Sequence, residues 1–310
     1  MNIFVSGSIA YDRIMNFPGY FSDHILPDKL HVLNVSFTVN SLVEKFGGTA
    51  GNIAYALRLL GERPTILATI GRDGERYFDW LAQNGIDACT ITVIEEEFTA
   101  GAYITTDLAD NQITGFNPGS MKHPSHFDFD TVEPEESIAI VAAGNLADMI
   151  GYPREFKARG IDYIFDPGQS LPAWETKALE ESICGSQILV SNDYELELIM
   201  DKTCLTRSDL LTRTQAIITT LGENGSRVCT ADGETPIPVV EPRQVVDPTG
   251  AGDAYRAGLI QGLIQGKSLE QSALMGSVCA SFAVEHYGTQ EYHFSPQEFL
   301  ERLHRHLPHP

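Results

Sequence analysis

Between Ser137 and Asp193 short apolar runs alternate with amphipathic stretches: SIAIVAAG, LADMIGYPREFKARG, IDYIFDPG, LPAWETKALEESICG and SQILVSND. This order reads as strand, helix, strand, helix, strand, the pattern of a parallel sheet whose strands are joined by crossover helices. The fold class expected is therefore α/β, with a mostly parallel central sheet flanked by helices. IFVSG at residues 3 to 7 and PTILATIG at 64 to 71 read as further buried strands. Helical patterns near 250–265, 268–286 and 296–306 close the chain.

Two stretches break the alternation. Residues 12–46 and 98–116 carry no helical period, and FTAGAYITTDLADNQITGF reads as two β-rich arms around the turn Asp107-Leu-Ala-Asp-Asn111. The economical arrangement is one domain over residues 1–310 with a small β-sheet inserted as a lid over a cleft. The exposed face or edge of such a sheet is also a candidate for pairing two chains into a homodimer.

Composition narrows the partners. Hydrophobic residues make up 43% and charged residues 20% of the 310, as in soluble globular proteins. The 42 acidic against 21 basic residues give a charge of -21, which disfavours nucleic acid and anionic membrane surfaces as partners. A phosphate-bearing ligand would be repelled as well, so its site needs a divalent cation and backbone N–H groups. Cys89, Cys184, Cys204, Cys229 and Cys279 are scattered and form no C-x-x-C pair, which fits a reducing compartment. The start MNIFVSGSIAYD has no basic leader, and no apolar run approaches the ~18 residues of a membrane span. A cytoplasmic location is expected. Asn34-Val-Ser36 and Asn224-Gly-Ser226 match the glycosylation pattern by chance, and His304, His306 and His309 read as a solvated tail rather than a metal site.

Two segments carry chemistry. In Val246-Asp-Pro-Thr-Gly-Ala-Gly-Asp253-Ala-Tyr-Arg-Ala-Gly258 a strand end leads through a proline turn and a Gly-Ala-Gly step into a helix. A helix N-terminus presents unpaired N–H groups, and glycine lets an anion approach them. Asp253, in the first turn, can accept a proton from an attacking hydroxyl while those N–H groups hold phosphoryl charge. An ordinary helix start would show the same residue types. The spacing excludes a dinucleotide fingerprint, since Tyr255 stands where a third glycine belongs, and Gln261 excludes a P-loop ending at Gly266-Lys-Ser268. The second segment, Gly47-Gly48-Thr49-Ala-Gly51-Asn52, enters the helix IAYALRLLG and suits a polyol lying against backbone.

GGTAGN and DPTGAGDAYRAG, in this order and about two hundred residues apart, with Asn192-Asp-Tyr-Glu195 and Thr220-Leu-Gly222 between them, resemble the signatures of the ribokinase-like, PfkB-type family of sugar and nucleoside kinases. The resemblance covers nearly the whole chain. It implies an ATP-dependent phosphotransferase with Asp253 as catalytic base and the N–H groups of Gly250, Ala251 and Gly252 as anion hole. It implies ribose-hydroxyl binding by Asp12, Gly48 and Asn52. It further implies that Asn192 and Glu195 organise Mg2+ and the ATP phosphates through water, and that Thr220, Gly222 and Gly225 form the nucleotide turn. Read locally, Asn192 and Glu195 equally make a helix cap. Some family members bind a monovalent cation such as K+ near the loop matching Gly288-Thr289, and the sequence leaves this open.

Departures from the family bear on substrate. Ala10 stands where ribokinases carry asparagine, and HILPDKLHVLNVSF, AGNIAYALRLLG and ITTDLADNQITGFNPGSM resemble microbial adenosine and broad nucleoside kinases. Tyr255 and Arg256 also replace the usual Phe and small residue. Phe17, Phe37, Tyr103 and Phe116 are candidate walls for a planar base, though aromatics in a small sheet are commonly its own core. The expected activity is phosphorylation of a nucleoside 5′-hydroxyl, adenosine first. The rivals are a ribose or other sugar kinase and a non-catalytic nucleoside or nucleotide sensor.

Overall fold

The computed structural model describes residues 1–25, 35–109 and 111–307. Asn34, Asp110 and His309, with most of HILPDKLHVLNVSF, lie outside the described residues. The strands are β1 (Asn2–Ser6), β2 (Ala10–Asn16), β3 (Ser41–Gly47), β4 (Pro64–Leu67), β5 (Thr69–Gly71), β6 (Thr92–Ile94), β7 (Ala100–Thr106), β8 (Gln112–Asn117), β9 (Ser137–Val141), β10 (Asp162–Phe165), β11 (Ile188–Asn192), β12 (Ala216–Thr220), β13 (Ser226–Thr230) and β14 (Gly233–Ile237). The helices are α1 (Thr49–Leu59), α2 (Glu75–Gln83), α3 (Leu146–Arg159), α4 (Thr176–Ile183), α5 (Asp193–Thr203), α6 (Arg207–Leu211), α7 (Ala251–Ile264), α8 (Leu269–Ala283) and α9 (Pro296–His304).

The main sheet has eight strands in the order β14-β13-β12-β11-β10-β9-β1-β4. From β12 to β4 neighbours run parallel, and β13 and β14 add an antiparallel edge. Successive residues of each strand point to opposite faces, and the buried strands split their side chains accordingly. Ile138, Ile140, Ile188 and Val190 join a core under α1, α7 and α8. Ala139, Val141, Leu189 and Ile217 join a second core under α3, α4 and α5. Both faces are covered, as the apolar runs and intervening amphipathic helices require.

After β1 the chain crosses one way to β4, whereas β9, β10, β11 and β12 step away the other way. That reversal opens a crevice at the carboxyl ends of the strands, where doubly wound sheets hold ligands. A separate four-stranded sheet, β3-β2-β7-β8, stands apart from the main one. In it β7 and β8 pair antiparallel from Gly101–Asn117 to Thr106–Gln112.

PTILATIG does not form one strand. β1 ends at Ser6, whose partner is Leu67, so the chain beyond Leu67 has no further edge to follow. Thr69 to Gly71 pair instead with Thr92 to Ile94, while the Thr90 hydroxyl donates to the Ile66 carbonyl (2.6 Å). Gly266-Lys-Ser268 is a helix junction: the Ser268 side chain caps α8, with Gln271 completing a capping box.

Candidate active site

A cleft of about 920 Å³ lies at the carboxyl ends of the main-sheet strands and is roofed by the four-stranded sheet. Asp12, Gly48, Asn52 and Phe116 line it, as do Asn192, Glu195, Thr220, Gly222, Gly250, Gly252 and Asp253. A second cleft of about 620 Å³ adjoins it, walled by Val239, Val245, Val284 and Tyr255 and containing Gly225 and Ala251. Thr220, Gly222 and Gly252 line both. The two signatures, 201 residues apart, meet directly where the Asn52 amide Nδ2 donates to the Asp253 carboxylate (2.8 Å).

Asp253 owes its place to the start of α7. Gly250 caps the helix in the left-handed region (φ 79°), which favours glycine, and Asp253 is the third residue of the first turn. The Ala251 N–H donates to the Pro248 carbonyl (3.2 Å). Among the described residues the N–H groups of Gly250 and Gly252 have no protein acceptor. The N–H groups of Gly250 and Gly252 are thus among the open backbone donors at this helix start, and Ala251 lines the neighbouring cleft. Burial pushes the Asp253 carboxyl up to about 6, with Arg256 and the Asn52 hydrogen bond pulling the other way and Asp166 adding to the rise. A carboxyl titrating near neutrality is suited to taking a proton.

Asp166, at the end of β10, and Arg256, one turn after Asp253, form a buried ion pair. The Asp166 Oδ1 is buried with no hydrogen-bond partner among the described residues. Nothing in IDYIFDPG singled this aspartate out. Its position just past a strand's carboxyl end in a parallel sheet was the available signal.

Asn192 and Glu195 form a true capping box. Asn192 N donates to Glu195 Oε2 (2.8 Å) and Glu195 N to Asn192 Oδ1 (2.7 Å). The same two residues line the cleft. The box holds Glu195 with Oε1 free of any protein donor among the described residues, and burial and Asp166 raise its carboxyl. Among the described residues no three His, Cys, Asp or Glu side chains converge as a metal cage. Two free carboxylate oxygens, on Glu195 and Asp166, fit an ion that keeps its water and is held mainly by phosphate oxygens, as Mg2+ is.

The side of the cleft under the four-stranded sheet holds fewer partnered groups. The Asp12 carboxylate makes no protein hydrogen bond among the described residues, and burial, then Asp247, raises it. Of the four aromatic candidates only Phe116 lines the cleft, 51% exposed. Phe17 and Phe37 pack on each other and on Phe21 as the small sheet's own core, and the Tyr103 hydroxyl accepts from Arg13 (2.9 Å). In the Gly288-Thr289 loop, Gly288 N donates to Asp247 Oδ2 (3.1 Å) and the Thr289 hydroxyl to the Phe46 carbonyl (2.9 Å). None of the five cysteines is paired, and no helix among the described residues is long and apolar enough to cross a membrane.

Comparison with known proteins shows the family. The pfkB family carbohydrate kinase model matches residues 9–295. A nucleoside kinase of Methanocaldococcus jannaschii is 34% identical over 88% of this chain and 90% of its own length. The solved structure of the Burkholderia thailandensis nucleoside kinase, ligand-free, superposes with a TM-score of 0.86 at 38% identity, covering 97% of this chain and 99% of that one. The same kinase with inosine bound gives 0.85 at 37% identity, over 98% and 97%. With that match across nearly its whole length, this chain belongs to the pfkB family of carbohydrate kinases, phosphotransferases that act on an alcohol group.

Proposed function

We propose that the protein transfers the terminal phosphoryl group of ATP to the 5′-hydroxyl of a nucleoside, with adenosine the preferred acceptor. The observation that carries this reading is Asp253, a carboxyl raised to about 6 beside free N–H groups at the junction of two clefts. The apolar second cleft suits the ATP base, with Thr220, Gly222 and Gly225 in its lining. The N–H groups of Gly250 and Gly252 then meet the transferring phosphoryl group, and Asp253 takes the proton from the attacking hydroxyl. Glu195, Asn192 and Asp166 would orient the water of a Mg2+ ion carried in with ATP, which would neutralise phosphate charge that this acidic chain repels.

On the acceptor side, Asp12, Gly48 and Asn52 serve ribose hydroxyls, and these alone do not separate a nucleoside from free ribose. Phe116 does, because a base laid against it buries apolar area at about 25 cal/mol per Å² that ribose cannot supply. Similarity to nucleoside kinases supports the same class, one of them having been solved with ADP and inosine. The four-stranded sheet acts as the lid, and the edges of β3 and β8, unpaired among the described residues, are where a homodimer would form. The test is kcat/KM with MgATP for adenosine, inosine, guanosine, cytidine, ribose and fructose 6-phosphate. A nucleoside should lead, and a lead by either sugar overturns the assignment.

A further inference from the structure

Asn52 does not meet Asp253 alone. Its Oδ1 accepts from Gln290 Nε2 (2.9 Å), and the same Nε2 donates to the Tyr77 hydroxyl (2.8 Å). Gln290 Oε1 in turn accepts from the indole Nε1 of Trp80 (2.8 Å), and the Tyr77 hydroxyl donates to the Gly47 carbonyl (2.7 Å). Gln290 is 1% exposed and Asn52 5%, so both amides are satisfied mainly by these protein partners. Each link has only one workable direction. An indole nitrogen donates and never accepts, so Gln290 must turn its oxygen to Trp80 and its NH2 group to Asn52. Asn52 must then present oxygen to Gln290 and NH2 to Asp253. Tyr77, having given its proton to Gly47, can only accept, which fixes the Gln290 amide a second time. Gly51 of the GGTAGN segment is part of the arrangement. A Cβ there would lie 2.0 Å from the Tyr77 oxygen and 3.0 Å from Gln290 Nε2, so only glycine leaves room for the chain of bonds.

We propose that Trp80 and Gln290 are positioning residues for the base. Through a one-way chain of hydrogen bonds they hold the Asn52 amide with its NH2 group aimed at Asp253, keeping that carboxylate ionised and directed into the cleft. This rests on the reading of Asp253 as general base. With the chain cut, Gln290 no longer opposes an Asn52 amide turned with its oxygen toward Asp253, an arrangement open only to the protonated carboxyl, so the protonated form gains. The other groups facing Asp253 are Arg256 on its own helix, Asp166 after β10, Tyr77 on α2 and Tyr292 beyond α8, with Glu195 acting on Arg256. Trp80→Phe and Gln290→Met leave all of them in place. Trp80→Phe also keeps a ring to stack on Phe46 and Tyr55.

The experiment is the pH dependence of kcat/KM for MgATP with the nucleoside that leads the panel, comparing wild type, Trp80→Phe and Gln290→Met. Titration of ATP and nucleoside is common to all three and cancels. Gln290→Met should move the acid limb up by about one pH unit, a tenfold loss on that limb, with kcat recovering toward wild type above it, and Trp80→Phe, in which Tyr77 still holds the Gln290 amide, should move it the same way by less. A substrate-free readout accompanies it: 13C-carboxyl NMR titration of Asp253, identified by its absence in Asp253→Asn, should show the same upward move. An acid limb and a carboxyl titration unmoved in both folded variants overturn the proposal while leaving the general-base reading intact. Full activity in Asp253→Asn would instead overturn that reading itself.

Discussion

The start of α7 and the four-stranded sheet face the same cleft but are built in opposite ways. At the start of α7 the side chains facing the cleft are held by buried partners, Asp253 by Asn52 and Arg256 by Asp166, and at the neighbouring start of α5 Glu195 is held by its own capping box. The sheet instead offers Asp12 with no protein partner among the described residues and Phe116 half exposed. The difference separates two tasks. Phosphoryl transfer needs groups fixed before the substrate arrives, whereas choosing an acceptor needs surface that a ligand can cover.

The contrast breaks most easily at the buried pair. Arg256→Met should cost about 3–5 kcal/mol of stability by leaving the Asp166 charge buried and alone, read as a lower urea midpoint. An unchanged midpoint would mean that the α7 end is no more locked than the sheet. Phe116→Ala should do the reverse. Its loss should weaken nucleoside binding by about 1 kcal/mol, roughly fivefold in KM, while leaving urea stability and any turnover of ribose unchanged. Equal loss for ribose would show that Phe116 supports the fold rather than the base.

Glu195→Gln separates cap from metal function at one residue. Glutamine still completes a capping box, so stability should hold within about 0.5 kcal/mol, while the Mg2+ needed for half-maximal rate rises. An unmoved Mg2+ requirement makes Glu195 a cap alone. The smallest effect expected is in hydrogen exchange: amides of β7 and β8 should slow when nucleoside is added, and indifference would remove the lid role.

Much of the frame was legible in order and pattern. The strand and helix alternation between Ser137 and Asp193 appears as β9, α3, β10, α4 and β11, because central parallel strands must be apolar on both faces. The two glycine-rich segments were legible because an anion site at a helix start restricts residue type within a few positions. Asp166, Trp80 and Gln290 were not, since each matters only through a partner brought from another part of the chain, and a lone Gln or Trp has no local signature. PTILATIG was misread because strand length depends on the partner's end at Ser6, not on the segment itself. The aromatic walls were over-counted for a related reason: Phe17 and Phe37 have each other to pack on.

The central claim is that Asp253 is the base, and the most direct measurement is single-turnover phosphoryl transfer by Asp253→Asn set beside calorimetric binding of nucleoside and of ATP. Asparagine keeps the shape and an oxygen to accept from Asn52, so both ligands should still bind within a few-fold of wild type, while transfer falls by about 10²–10⁴. Transfer within tenfold of wild type in the folded variant would contradict the account.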